Sequence, residues 1–115
     1  MARQLTSGDL RTPITFFSYE PVPGFNIGEQ KKETLHYCFC EIYASSQKDL
    51  EILKTVHAKE SITINIRDPL MDYIPDHTHF AEIGHYRYIG KVWNIVEVRP
   101  DAQSLGFINI VLAVV

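Results

Sequence analysis

Apolar and polar residues alternate one by one near the C-terminus, and a period of two is the signature of a strand. Val92, Asn94, Val96 and Val98 share one face of such a strand, and Trp93, Ile95 and Glu97 share the other. Residues 86–89 read as a preceding strand, joined to it by a tight turn at Gly90-Lys91 where Gly supplies the positive φ such turns want. Arg99-Pro100-Asp101 breaks the pattern, and residues 107–115 return as a closing strand with Ile108, Ile110, Leu112 and Val114 on one side. No catalytic group stands between these pieces.

Earlier segments carry the same period. Residues 13–19 form a first strand, with Ile14 and Phe16 on one face and Thr15, Phe17 and Tyr19 on the other. Residues 20–32 contain two prolines and two glycines and read as a long exposed loop. Residues 33–44 then alternate again, with Leu35, Tyr37 and Phe39 against Cys38, Cys40, Ile42 and Ala44, so this longest strand is expected to be central and covered on both faces. Residues 61–67 alternate cleanly and predict a half-buried strand, Ile62, Ile64 and Ile66 inward and Ser61, Thr63, Asn65 and Arg67 outward. Residues 68–76, with Pro69 and Pro75, make a second loop, and residues 78–83 a short strand.

Only residues 45–57 change period. Leu50, Leu53 and Val56 recur every three residues among polar neighbours, and Ser46 with Asp49 resembles a capping box, which predicts a short helix between the second and third strands. The expected fold is therefore mainly β, a small antiparallel β-barrel or sandwich of about six strands with one short inserted helix. The 115 residues suit a single domain, 1–115.

Charge and composition narrow the function classes. A formal net charge of −3 provides no basic footprint for nucleic acid. No apolar run reaches the roughly 18 residues of a spanning helix, and the N-terminus lacks the apolar stretch of a secretory signal, so a cytoplasmic protein is expected. Cys38 and Cys40 are the only cysteines, and their spacing on one strand face places them at the far limit for a disulfide, so two reduced, packed thiols are expected.

Five histidines raise metal and catalytic readings. His77 and His79 would share a strand face as a two-ligand clip, yet no third ligand accompanies them, and solvated histidines are the simpler reading. Asp68, Asp72 and Asp76 recur every four residues without the ordered ligands and Gly of a calcium loop. Neither a Gly-x-Ser-x-Gly elbow nor a phosphate-cradling glycine loop occurs, so the expectation is no enzyme, no cofactor and no metal. Tyr37, Tyr43, Tyr73, Tyr86, Tyr88 and Trp93 lie in or beside strands, where large rings with a polar tip serve cores and interfaces alike.

Several segments in order resemble one known family. They are Arg11-Thr-Pro-Ile-Thr-Phe16, an aromatic strand ending at Ile42-Tyr-Ala, the polar run Gln47-Lys-Asp-Leu-Glu51, and Ile62-Thr-Ile-Asn-Ile-Arg67. Tyr88-Ile-Gly-Lys-Val-Trp-Asn-Ile-Val96 followed by Pro100-Asp101 completes the series and is the most specific part. The chain thereby resembles the phage head-tail joining family, the head-closure or head-tail adaptor proteins of tailed bacteriophages. Thr12-Pro13 departs from the family's commoner pattern in the early strand.

That resemblance implies a β-barrel subunit of a ring in the virion neck, assembled in the host cytoplasm, of about twelve copies docked below the portal-adaptor protein. The ring would retain packaged DNA, let it pass without sequence-specific binding, and offer the attachment surface for the tail or its completion protein. A subunit monomeric in solution is compatible with this, because weak contacts add around a ring. On this reading Gln47, Lys48, Asp49 and Glu51 belong to a channel-facing or refolding segment. Phe25, Asn26, Asp68, Met71, Asp72 and Tyr73 belong to docking loops. A tail-completion (tail terminator) protein of the same neck, or a generic β-barrel binding module, is the alternative.

Overall fold

In the computed structural model the described residues are 10–21, 30–43, 54, 59–101 and 105–114. They hold six strands: β1 Thr12–Pro21, β2 Gln30–Tyr43, β3 Glu60–Arg67, β4 Phe80–Ile83, β5 Trp93–Pro100 and β6 Phe107–Val114. The sheet closes on itself in the order β1-β2-β3-β6-β5-β4, every neighbour antiparallel. The expected mainly β barrel is the architecture found. Of the segment predicted as a helix only Lys54 is described, and it is helical; Gln47, Lys48, Asp49 and Glu51 lie outside the described residues, as do Phe25 and Asn26.

Closure follows from which residues point inward. Ile14 and Phe16 of β1, Cys40 of β2, Ile62, Ile64 and Ile66 of β3, Trp93 and Ile95 of β5, and Ile108, Ile110 and Leu112 of β6 form one buried cluster. Each fully buried side chain of this size contributes about 1.5–3 kcal/mol relative to exposure. The inward residues of β3 and β6 face each other in register, Ile62 with Leu112, Ile64 with Ile110 and Ile66 with Ile108. Trp93 is completely buried and meets the edge of Tyr88 at 5.9 Å between ring centroids.

Several expectations need correction. Residues 86–89 are not a strand: Tyr88 N and Ile89 N both donate to His85 O, which winds 85–89 into a turn. Gly90 does take positive φ, 82°, but it ends that turn instead of a two-residue hairpin, and β5 starts only at Trp93. The strand expected at 78–83 begins at Phe80, because His79 N donates back to Asp76 O and closes a turn first.

The outward face of β3 is covered as well, with Thr63 fully buried and Asn65 nearly so. Asn65 accepts from Asn109 Nδ2, which also donates to Asp101 Oδ2 at 2.9 Å, so the buried amides are satisfied. β6 is buried on both faces. β2 departs in the other direction: Tyr37 and Phe39 stand exposed on its outer face. Its even and odd faces do not persist along its length, because a bulge at Leu35 shifts the register between Phe16↔His36 and Phe17↔Thr34.

The registers also define two ends. Pro21 pairs with Gln30 and Arg67 with Phe107, and Pro100 and Phe80 close their strands on the same side, which gathers the 68–79 and 101–106 connections at one end. Tyr43, Glu60, Ile83, Trp93 and Val114 mark the opposite end, where the 84–92 connection lies.

Candidate functional site: docking surfaces at the two barrel ends

The connection at 68–79 is built by short polar side chains that turn the backbone. Asp68 Oδ1 accepts from Leu70 N at 2.9 Å, and Asp72 N donates to Pro69 O at 3.0 Å. Asp76 Oδ1 accepts from Thr78 N at 2.9 Å, and this bond holds the Asp76 carboxyl below its ordinary pKa. Leu70 adopts φ 54°, an unusual conformation for a residue with a branched side chain. Two of the three aspartates thus serve their own turns, and no group of three or more His, Cys, Asp or Glu converges among the described residues.

These turns push apolar side chains into solvent. Met71 is 92% exposed, and Leu70 and Ile74 are each 71% exposed. Asp68 N donates to Gly106 O at 2.8 Å, tying this connection to the β5–β6 turn, where Leu105 is 99% exposed. Gly106 holds φ 82°, which lets the chain turn back into β6. Met71 and Asp72 stand exposed on this connection, with Asp68 half-buried at its start.

Tyr73 does not. Its ring turns inward, packs on Phe16 at 5.2 Å and stacks on His36 at 5.2 Å with 9° between planes. Its hydroxyl shares a 2.9 Å hydrogen bond with His79 Nδ1. Burial, then the nearby Asp76 carboxylate, push the Tyr73 phenol above its ordinary pKa. Tyr73 is a plug of the barrel end that anchors the loop, and its place on a docking surface is corrected accordingly. His79 is tied to Tyr73 while His77 projects beside Asp76, so the two do not form a clip.

Cys38 and Cys40 are free thiols inside the wall. Burial pushes Cys38 up to about 11, and burial with the neighbouring Cys38 pushes Cys40 up to about 12. Both thiols stay protonated at neutral pH, which makes them poor nucleophiles and poor metal ligands.

At the opposite end, Gly84 N donates to Pro13 O at 2.9 Å, and the 85–89 turn projects Tyr86 and Ile89. A cleft of about 410 Å³ lies beside it, lined by Arg11, Thr12, Glu41, His85, Tyr86 and Arg87 among others. Arg87 Nε donates to Tyr86 Oη at 3.1 Å and its guanidinium lies over that ring. Sequence reasoning missed Leu70, Ile74 and Leu105 as exposed apolar residues. The signal was present as large apolar residues inside turn-rich segments, where no strand period assigns them to a core.

The chain matches no family model and no curated protein. Among solved structures it is similar to the solution structure of protein SF1141 from Shigella flexneri 2a, with a TM-score of 0.61 and 20% sequence identity. The likeness covers 95% of this chain and 96% of that one, and at this identity it speaks to the fold alone. The class defined so far is a small six-stranded antiparallel barrel with elaborated ends.

Proposed function

We propose that this chain is a structural subunit of a tailed bacteriophage neck, a head-closure or head-tail connector protein that docks below the portal-adaptor and receives the tail. The observation that carries the reading is the concentration of exposed apolar side chains, Leu70, Met71, Ile74 and Leu105, at one end of a closed barrel. Exposed apolar residues grouped this way mark surfaces completed by another protein. The sequence resemblance supplies the particular assembly. Two of its segments include strand residues: Ile62-Thr-Ile-Asn-Ile-Arg67 is most of β3, and Trp93 to Val96 of Tyr88–Val96 begin β5.

The mechanism on this reading is geometric. A closed barrel holds two sets of connections at fixed separation, so one end can meet the head and the other the tail. Repetition around a ring multiplies weak contacts into a firm joint. A net charge of −3 favours a channel wall along which DNA slides, since phosphate contacts would retard it.

The test is electron microscopy of particles assembled with this gene deleted, with DNA retention assayed in parallel. Head closure predicts heads that leak their genome beside complete free tails. Heads that keep their DNA with tails missing or of irregular length move the assignment to tail completion, and unaffected virions overturn the neck reading.

A further inference from the structure

The cleft of about 410 Å³ at the 84–92 end is assembled by three separate parts of the chain. Thr12 pairs with Cys40, which sets Arg11, the residue ahead of β1, beside Glu41 of β2. Ile14 pairs with Ile83, and Gly84 N donates to Pro13 O at 2.9 Å, so the 85–89 turn begins beside the same edge and brings His85, Tyr86 and Arg87 to the cleft. Arg11 and Arg87 line this space and are exposed, and Tyr86 is 75% exposed.

We propose that this cleft binds a small phosphate monoester, its phosphoryl oxygens held between the Arg11 and Arg87 guanidiniums. The site needs no neighbouring subunit, and it goes beyond the neck reading above.

Three features favour this ligand. The first is charge. Arg11 and Arg87 bring two positive charges and Glu41 one negative, so with His85 neutral the cleft carries a formal +1 in a chain of net −3. A cleft of locally reversed sign concentrates the field and draws an anion to that place. The second is the form of the donors. A guanidinium is a planar fork of N–H groups, and Arg87 gives its Nε–H to Tyr86 Oη at 3.1 Å while its plane lies over that ring. These contacts preset its orientation, and a preset guanidinium matches a phosphoryl group with paired hydrogen bonds.

The third is His85. Its Nδ1 accepts from Arg87 N at 3.2 Å, which leaves the proton of the neutral ring on Nε2 as a further donor. Stacking on Tyr86 at 4.5 Å and packing on Tyr88 at 5.6 Å between ring centroids hold the imidazole plane. Two guanidiniums and an imidazole suit the several oxygens of a phosphoryl group better than the two of a carboxylate. Glu41 adds an acceptor for a hydroxyl of the esterified alcohol and weakens the attraction for a long polyanion, and a volume of about 410 Å³ is that of a small-molecule site.

Trp93 offers a reporter for the test. It is the single tryptophan, and it meets Tyr88, a wall of the cleft, at 5.9 Å between ring centroids. Glycerol phosphate, glycerol and a short DNA strand without a terminal phosphate are titrated into the protein at constant ionic strength, followed by calorimetry and by Trp93 fluorescence. The proposal expects saturable binding of glycerol phosphate and none of glycerol, with Arg11→Gln and Arg87→Gln each weakening it about tenfold or more while keeping native circular dichroism. Arg67→Gln removes the same charge at the opposite end and is expected to leave the affinity within about twofold. Glycerol phosphate that fails to saturate either signal at millimolar concentration overturns the proposal. So does a loss in Arg67→Gln equal to that in the cleft variants, which identifies net charge alone as the cause, and so does tighter binding of the DNA strand than of glycerol phosphate.

Discussion

At the scale of single residues, the side chains that shape the candidate surface are those that hold it in place from beneath. Tyr73 fixes the 68–79 connection through stacking on Phe16 and His36 and through its bond to His79. Tyr73→Phe keeps the ring and loses the bond, and thermal melts are expected to show a cost of about 1 kcal/mol, whereas Tyr73→Ala costs about 3–5 kcal/mol. The thiols make a second prediction. Cys38 and Cys40 have folded values above the 9.0 of a free thiol, so the unfolded chain gives up these protons first. Their contribution to stability is fully present below about pH 9 and lost as pH rises towards the folded values. Denaturant midpoints are expected to fall between about pH 9 and pH 11, less steeply in Cys38→Ser; equal slopes in the two proteins would contradict the assignment. Tyr73 was legible from sequence as an aromatic beside a loop, but not its inward turn, which depends on His36 and Phe16 arriving from other strands.

At the scale of elements, alternation was a reliable guide to the inward face of β3 and β6, whose pairing runs without a bulge. Ile62, Ile64 and Ile66, and Ile108, Ile110 and Leu112, occupy the core as their spacing predicts. Alternation failed on the opposite face, because Thr63 and Asn65 are polar and still buried, a state that depends on partners such as Asn109 distant in sequence. It failed also at 86–89, where Tyr-Arg-Tyr-Ile imitates a strand but its amides bond back to His85. The 68–76 connection was legible from Pro and Asp, since those residues act locally; closure of the sheet was not, since β1 meets β4 across more than sixty residues. Gly84 ends β4 where an added Cβ would stand 2.9 Å from Pro13 Cγ. Gly84→Ala is therefore expected to destabilise by about 1–3 kcal/mol in chemical denaturation. Gly90→Ala, with open space around it but φ 82°, is expected to cost about 1 kcal/mol from backbone strain alone.

At the scale of the whole molecule, the barrel separates two ends, one carrying the 68–79 connection and the other the 84–92 connection, an arrangement suited to a part that is completed by neighbours. The exposed apolar end can be altered without touching the core. Leu70→Asp with Met71→Asp is expected to change folding stability by no more than about 0.5 kcal/mol, because both side chains already stand in water. The same pair of changes is expected to abolish docking in assembled particles, read as loss of tailed virions by electron microscopy; full assembly by this variant would remove that surface from the account. The central claim, that this chain closes the head and joins it to the tail, is tested most directly by reconstitution. Tailless heads made without the gene are mixed with purified protein and free tails, and infectious particles are counted. The account predicts that infectivity appears only when this protein is added and that the Leu70→Asp, Met71→Asp variant does not restore it. Infectivity that is unchanged by adding the native protein would contradict the account.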